Sequence, residues 1–103
     1  MGPESALYLA ISQVPSGRVC TYGAIARLAG LPNRARWVGR ILSRLPQDST
    51  LPWHRIINSQ GRISLPGERG SFQRQRLEQE GITFRNDRVN LRQFGWNLHP
   101  PSN

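Results

Sequence analysis

Residues 21–45, TYGAIARLAGLPNRARWVGRILSRL, decide the fold. Thr21 suits the N-cap of a helix, because its hydroxyl can accept from an amide of the first turn that has no partner within the helix. Ala24, Ile25, Leu28 and Ala29 recur at helical spacing and predict a helix over 22–29 with one apolar face. Gly30 ends it, and Leu31-Pro32-Asn33 make a short connection. Val38, Ile41, Leu42 and Leu45 then fall at i, i+3, i+4 and i+7, which predicts another helix from about 34 to 45, closed by Pro46. Two short helices joined by a tight glycine-containing turn read as a helix-turn-helix.

The outer face of the later helix is the chemically informative one. Arg36, Arg40 and Arg44 are spaced by four and make one stripe opposite the apolar face, since successive helical residues turn by about 100°. Gly39 flanks the stripe and lets another backbone come close. The competing reading is an ordinary solvated face. No acid occurs within 34–44, so i,i+4 ion pairs do not account for the stripe. A face that meets DNA is the reading preferred.

The whole chain carries the same bias. It has 14 basic residues, all arginine, against 6 acids, for a formal net charge of +8. Arginine grips phosphate through two parallel hydrogen bonds and stacks on bases, so nucleic acid is the leading partner class. A GC-rich genome would explain the missing lysine but not the net charge. At 103 residues the expectation is one domain, 1–103, with a core over about 5–92 and a tail over 93–103. No run approaches the ~18 apolar residues of a membrane span, and the start does not read as a signal peptide. The single Cys20 can form neither an internal disulfide nor, alone, a metal site, and its apolar neighbours suggest a buried side chain. The expected state is a cytoplasmic, nucleoid-associated monomer without cofactor or metal.

Leu51-Pro52-Trp53-His54-Arg55-Ile56-Ile57-Asn58 is the other distinctive stretch. Ile56 and Ile57 read as a buried strand. Before them, a flat indole stands beside an imidazole and a guanidinium, a cluster that suits the wall of a pocket for a flat, polar ligand. The same residues also fit a core tryptophan followed by a satisfied buried histidine. Elsewhere, residues 1–14 predict a helix with Leu7, Ala10, Ile11 and Val14 on its apolar face, and Pro15-Ser16-Gly17 a turn. Arg62-Ile63-Ser64 reads as a short return strand, and Leu65 to Gly70 as a loop holding Arg69. Ser71 caps a helix that runs to Glu80, with Gly81 as its stop. A hairpin over 82–91 follows, and then a tail in which Trp96 packs back and the last residues are loose.

In order and near-spacing, these pieces resemble the DNA-binding, active-site domain of the O6-alkylguanine-DNA alkyltransferases. The matching segments are Val14-Pro15-Ser16-Gly17-Arg18-Val19, Thr21-Tyr22-Gly23-Ala24-Ile25-Ala26, Arg36-Trp37-Val38-Gly39, Pro52-Trp53-His54-Arg55 and Glu80-Gly81. The resemblance implies a mostly α fold with short strands, a winged helix-turn-helix-like domain of the alkyltransferase C-terminal type. Trp53 stands where those enzymes carry the acceptor cysteine, and this replacement is the mark of the alkyltransferase-like proteins. The implied function is recognition of O6-alkylguanine in double-stranded DNA without alkyl transfer, followed by nucleotide excision repair.

The resemblance also implies residue roles. Arg36 matches an arginine finger that fills the gap left by a flipped nucleotide, and Tyr22 matches a tyrosine that presses on the adjacent phosphate. Arg40, Arg44, Trp37 and Gly39 belong to the helix that enters the minor groove. Pro52, Trp53, His54, Arg55 and Ser64 surround the lesion pocket, with Arg55 a brace for the strand; Arg69, in the loop that roofs it, reads either as a cation-π partner for the base or as a plain surface charge. Glu80 supports His54. Three positions depart from the enzymes besides Trp53: Trp37 replaces a small residue, Leu45 a hinge asparagine, and Pro66 a pocket tyrosine. Two other functions compete: a winged-helix transcription regulator, which predicts preference for a DNA sequence, and an enzyme using Cys20 or His54, which predicts loss of the alkyl group.

Overall fold

A parallel pairing of two residues with two divides the molecule. The structure, a computed structural model, describes residues 2–98. Helix α1 (Pro3–Ser12) leads through a turn to strand β1 (Cys20–Thr21), then to α2 (Tyr22–Leu28) and α3 (Ala35–Arg44). A 3-10 turn at Trp53–Arg55 runs directly into strand β2 (Ile56–Ile57). Helix α4 (Gly67–Gln79), the hairpin β3 (Phe84–Arg85) and β4 (Arg88–Val89), and the short α5 (Leu91–Phe94) complete the described chain. β1 pairs with β2 so that Cys20 opposes Ile56 and Thr21 opposes Ile57.

Alternation along a strand sends neighbouring side chains to opposite faces. Accordingly, Ile56 joins Leu7, Ile11, Ile25, Val38, Leu42 and Trp53 in one buried cluster. Its neighbour Ile57 joins Val19, Leu77, Ile82 and Val89 in another. The first cluster holds α1 to α3 together, and the second seats α4 and the hairpin.

The helix-turn-helix forms as its residues dictate. The Thr21 side chain accepts from the Ala24 amide. Gly30 adopts φ +79°, and Leu31 N donates to Ala26 O while Gly30 N donates to Arg27 O, which closes the helix end on its own carbonyls. Val38, Ile41 and Leu42 are the buried face of α3, and Arg36, Arg40 and Arg44 are all exposed on the other side. The wing is the β3–β4 hairpin. Its turn residues Asn86 and Asp87 have φ of 53° and 61°, the left-handed pair that matches strand twist in a tight hairpin.

Several boundaries differ from the sequence expectations. The apolar arc of α2 is Ala24, Ile25 and Ala26, whereas Leu28 is 36 % exposed. Residues 62–64 form no strand: the Asn58 carboxamide oxygen accepts from the amides of Gln60 and Arg62, a local turn that takes the backbone groups a ladder would need. Helix α4 starts at Gly67 rather than after Ser71, so Arg69 lies in its first turn and not in a loop. Gly70 is a packing requirement there, because a Cβ would sit 2.2 Å from the Leu65 carbonyl oxygen. The tail packs back at Trp96 as expected, and backbone bonds fix it there. Val19 N donates to Phe94 O and Trp96 N to Val19 O, at 2.9 and 2.8 Å, and Trp96 and Leu98 pack on the first cluster. Residues 99–103 lie outside the described residues, as does Met1, and the expectation that the last residues are loose falls there.

Gln73 holds the two halves in register. Buried on α4, its Nε2 donates to the carbonyls of His54 (3.1 Å) and Ile56 (2.8 Å). Replacing it with leucine leaves both acceptors dry and unpaired, so Gln73→Leu is expected to lower stability by about 2–3 kcal/mol. A lower midpoint in urea unfolding at an unchanged slope would check this.

Candidate nucleic-acid interface

The surface of α3 is the first component. Arg36, Trp37 and Arg40, with Asn33 and Arg34 before them, line one open groove of about 560 Å3. Trp37 rests half-buried on the main core, so it fills the join between α3 and the body while leaving an edge at the groove. Gly39 has nothing within 4 Å of where a Cβ would stand. Nothing inside the described protein therefore calls for glycine there, and its bareness is available to an outside partner. Arg44 is exposed at the end of the stripe. On the adjoining face, the Tyr22 hydroxyl and Ser64 Oγ are 2.8 Å apart, which ties the start of α2 to the segment after β2.

The second component is an aromatic stack. The Trp53 ring is only 2 % exposed. The Arg69 guanidinium lies 4.5 Å over it, and Phe72 stacks on it at 6.0 Å between centroids and 18° between planes. Arg69 Nη2 also donates to the carbonyls of Leu42 and Leu45, the C-terminal end of α3. A cation suits that end, where carbonyls lack helical partners and the helix dipole is negative. Among the described residues, Arg69 Nε is buried without a hydrogen-bond partner. The open indole wall expected from the sequence is thus not present in the free protein, because Arg69 covers the ring.

The third component is an ionic knot. Glu80 Oε2 meets His54 Nε2 at 2.7 Å and accepts from Arg55 Nη2 at 2.8 Å. Glu80 Oε1 accepts from Arg55 Nε and from the Gly17 amide, both at 3.0 Å. Arg55 Nη1 continues to Val14 O at 2.8 Å. Burial raises the pKa of the Glu80 carboxyl, but Arg55, the Gly17 amide and His54 outweigh it and hold it down to about 2. Burial pushes the His54 imidazole below its usual value, against the pull of Glu80. A neutral ring donating its Nε2–H to the carboxylate satisfies both shifts.

The residues expected around one pocket are therefore divided. Trp53 and Arg69 belong to the aromatic stack, Ser64 to the tyrosine contact, and His54 and Arg55 turn toward Glu80. Pro52, His54 and Arg55 line a separate cleft of about 570 Å3 with Ser12, Thr50 and Arg76, and this cleft is where an opening lies beside the loop. Sequence reasoning missed Gln73 as the residue that fixes the turn, although a polar side chain four before Leu77 on the inner arc was its signal. Among the described residues no cluster of His, Cys, Asp and Glu could hold a metal. Cys20 is fully buried, and burial pushes its thiol up to about 11.

Residues 3–82 match the model of the 6-O-methylguanine DNA methyltransferase DNA-binding domain. The chain belongs to this family. A DNA base-flipping protein of Vibrio parahaemolyticus is 48 % identical over 91 residues, which cover 87 % of this chain and 91 % of that protein. Alkyltransferase-like protein 1 of Schizosaccharomyces pombe is 40 % identical over 97 residues, covering 87 % and 90 %. The crystal structure of S. pombe Atl1 in complex with damaged DNA containing O6-carboxymethylguanine superimposes with a TM-score of 0.83, at 37 % identity and over 91 % and 94 % of the two chains. Mycobacterium tuberculosis O6-methylguanine methyltransferase gives 0.70 at 30 % identity, over 78 % of this chain and 48 % of that one. The winged, mostly helical architecture of the alkyltransferase DNA-binding domain is shared. The Leu45 carbonyl, just past the end of α3, is held by Arg69.

The ionic knot makes stability acid-sensitive in a defined window. The unfolded chain binds a proton at Glu80 near the ordinary carboxylate value of 4.5, the folded chain only near 2. The stabilisation is thus complete above the ordinary value and lost as pH falls toward the folded one. The depressed His54 acts in the same direction from its ordinary 6.5 downward. Glu80→Gln is expected to lower stability at neutral pH by on the order of 2–3 kcal/mol and to flatten the acid loss between about pH 5 and 2. Thermal melts across that range would check both effects.

Proposed function

We propose that this protein binds O6-alkylguanine in duplex DNA by turning the damaged nucleotide out of the helix, and leaves the alkyl group in place. The observation that carries the reading is the indole at position 53 of an alkyltransferase DNA-binding scaffold. Alkyl transfer from oxygen needs an accessible thiolate, and an indole cannot replace it. The one thiol of the chain, Cys20, is sealed in the core and resists ionisation. The relatives support the binding half of the reading, since they are named for base flipping and one is bound to DNA carrying an O6-alkylated guanine.

A base inside the stack hides its O6 substituent, so recognition requires extrusion at a cost of a few kcal/mol. Arg36, exposed in the first turn of α3, enters the vacated space, where its guanidinium can stack on the bases and bond to the orphaned partner. Tyr22 bears on the phosphate of the turning nucleotide, and Gly39 lets the backbone of α3 approach the minor groove. Arg40 and Arg44 add phosphate contacts that carry no sequence information. Trp53 and Arg69 receive the base. Because Arg69 covers the indole in the free protein, base entry moves the guanidinium off the ring and leaves it at the edge of the purine. A protein that leaves the lesion chemically intact must pass it to another activity, and excision of the nucleotide by nucleotide excision repair is that step.

Matched duplexes with guanine or O6-methylguanine at one site test the reading by fluorescence anisotropy, followed by analysis of the DNA for methyl. Preferential binding to the modified duplex with the methyl retained is expected. Equal affinity would end the lesion-sensor reading, a sequence preference would favour a regulator, and lost methyl would make the protein an enzyme. Arg36→Ala is expected to weaken lesion binding at least tenfold, with an unchanged melting temperature because the side chain is exposed. Unchanged lesion affinity in this variant would remove the finger role.

A further inference from the structure

We infer that a groove between the start of α2, the turn after β2 and the C-terminal segment is a further phosphate site, which holds the DNA backbone beyond the flipped nucleotide. This rests on the DNA-binding reading above but not on lesion selectivity. The groove has a volume of about 730 Å3 and is lined by Tyr22, Arg27, Ala35, Ser59, Leu91 and Arg92, among others. None of these residues belongs to the aromatic stack or to the arginine stripe of α3.

Continuity is the first argument. Tyr22 and Ala35 form part of the lining, and Ala35 immediately precedes Arg36. A strand whose phosphate lies at Tyr22 reaches this groove next. Charge is the second. Arg27 and Arg92 are exposed, no acid lines the groove, and among the described residues neither arginine is in an ion pair. Arg27 is held from outside its helix: Nη2 donates to the Leu98 carbonyl at 2.7 Å, which fixes the guanidinium while its other N–H groups stay available. The backbone at Arg92 is fixed by the Asn90 side chain, which accepts from the Arg92 amide at 3.0 Å.

The remaining lining suits a nucleotide linkage better than a bare anion. Ser59 offers an exposed hydroxyl. Asn58 has its side-chain oxygen occupied by two amides, so its NH2 group is the end left to donate. Between the polar groups, Ala35, Leu91 and Leu98 supply apolar surface that matches the face of a deoxyribose. Two cations, two neutral donors and an apolar floor thus answer a phosphodiester with its sugar. The site also gives the C-terminal segment a role, since Leu98 braces Arg27 and α5 carries Arg92.

The test is the double variant Arg27→Gln, Arg92→Gln, which removes both charges and keeps a polar side chain at each position. Binding to unmodified and O6-methylguanine duplexes is measured by anisotropy over a salt series, with melting temperature as the control for folding. Both affinities are expected to fall about tenfold and by the same factor, and the slope of log affinity against log salt to shrink by about 2, because two phosphates are no longer neutralised. Arg92→Gln alone, whose side chain makes no hydrogen bond or ion pair among the described residues, should shrink it by about 1. Unchanged affinity and slope would overturn the site. In a second measurement, neutral methylphosphonates replace flanking phosphates one at a time. The wild-type protein should lose affinity at one or two linkages beyond the flipped nucleotide, and the double variant should be insensitive there; identical profiles would overturn the proposal. A wild-type protein without lesion preference would defeat the lesion-sensor reading alone, because the slope on unmodified duplex decides the groove separately.

Discussion

The turn that carries Trp53 depends on how one carboxylate is shared. Glu80 ends α4, and its two oxygens bind the turn after α1 through Gly17 and the 3-10 turn through His54 and Arg55. Arg55 passes the constraint on to the Val14 carbonyl. Three segments far apart in sequence are thereby fixed around a single partly buried charge. Desolvation alone would favour the neutral acid, and it is the density of donors that keeps the group ionised. The His54–Glu80 pair stands next to the Trp53 indole in the chain and holds the Pro52–Ile57 turn in place.

The other end of that turn is set by Arg69. One guanidinium covers the Trp53 ring and caps the carbonyls that close α3, so the arginine-studded helix and the aromatic stack are mechanically connected. A hydrogen-bonded guanidinium retains a polarisable face, which is why a single residue can do both.

Much of this was legible in the residues. Thr21, Gly30 and the Val38–Ile41–Leu42 spacing give the helix-turn-helix because capping and periodicity are local properties, and the structure realises each. The Arg36–Arg40–Arg44 stripe is exposed as its spacing required. The start of α4 was not legible, because Pro66-Gly67 and Gly70 look like loop residues until the Leu65 carbonyl that Gly70 accommodates is in view. Asn58 pre-empted a strand at 62–64 by the same kind of local bond that turns commonly use. The burial of Trp53 depends on Arg69 and Phe72, sixteen and nineteen positions away, and no periodicity encodes that meeting. The Tyr22, Arg27 and Arg92 groove is assembled from separate stretches of the chain, 21–27, 35, 58–59 and 91–98, and has no sequence signature either.

The pairing of β1 with β2 has an evolutionary consequence. Cys20 and Ile56 are clamped side by side, so the intervening helices form a cassette with both ends fastened to the partition between the two cores. Residues on the cassette's outward face touch neither end of that fastening. They can be exchanged to suit a new target while the frame keeps its shape, so one frame can serve more than one target.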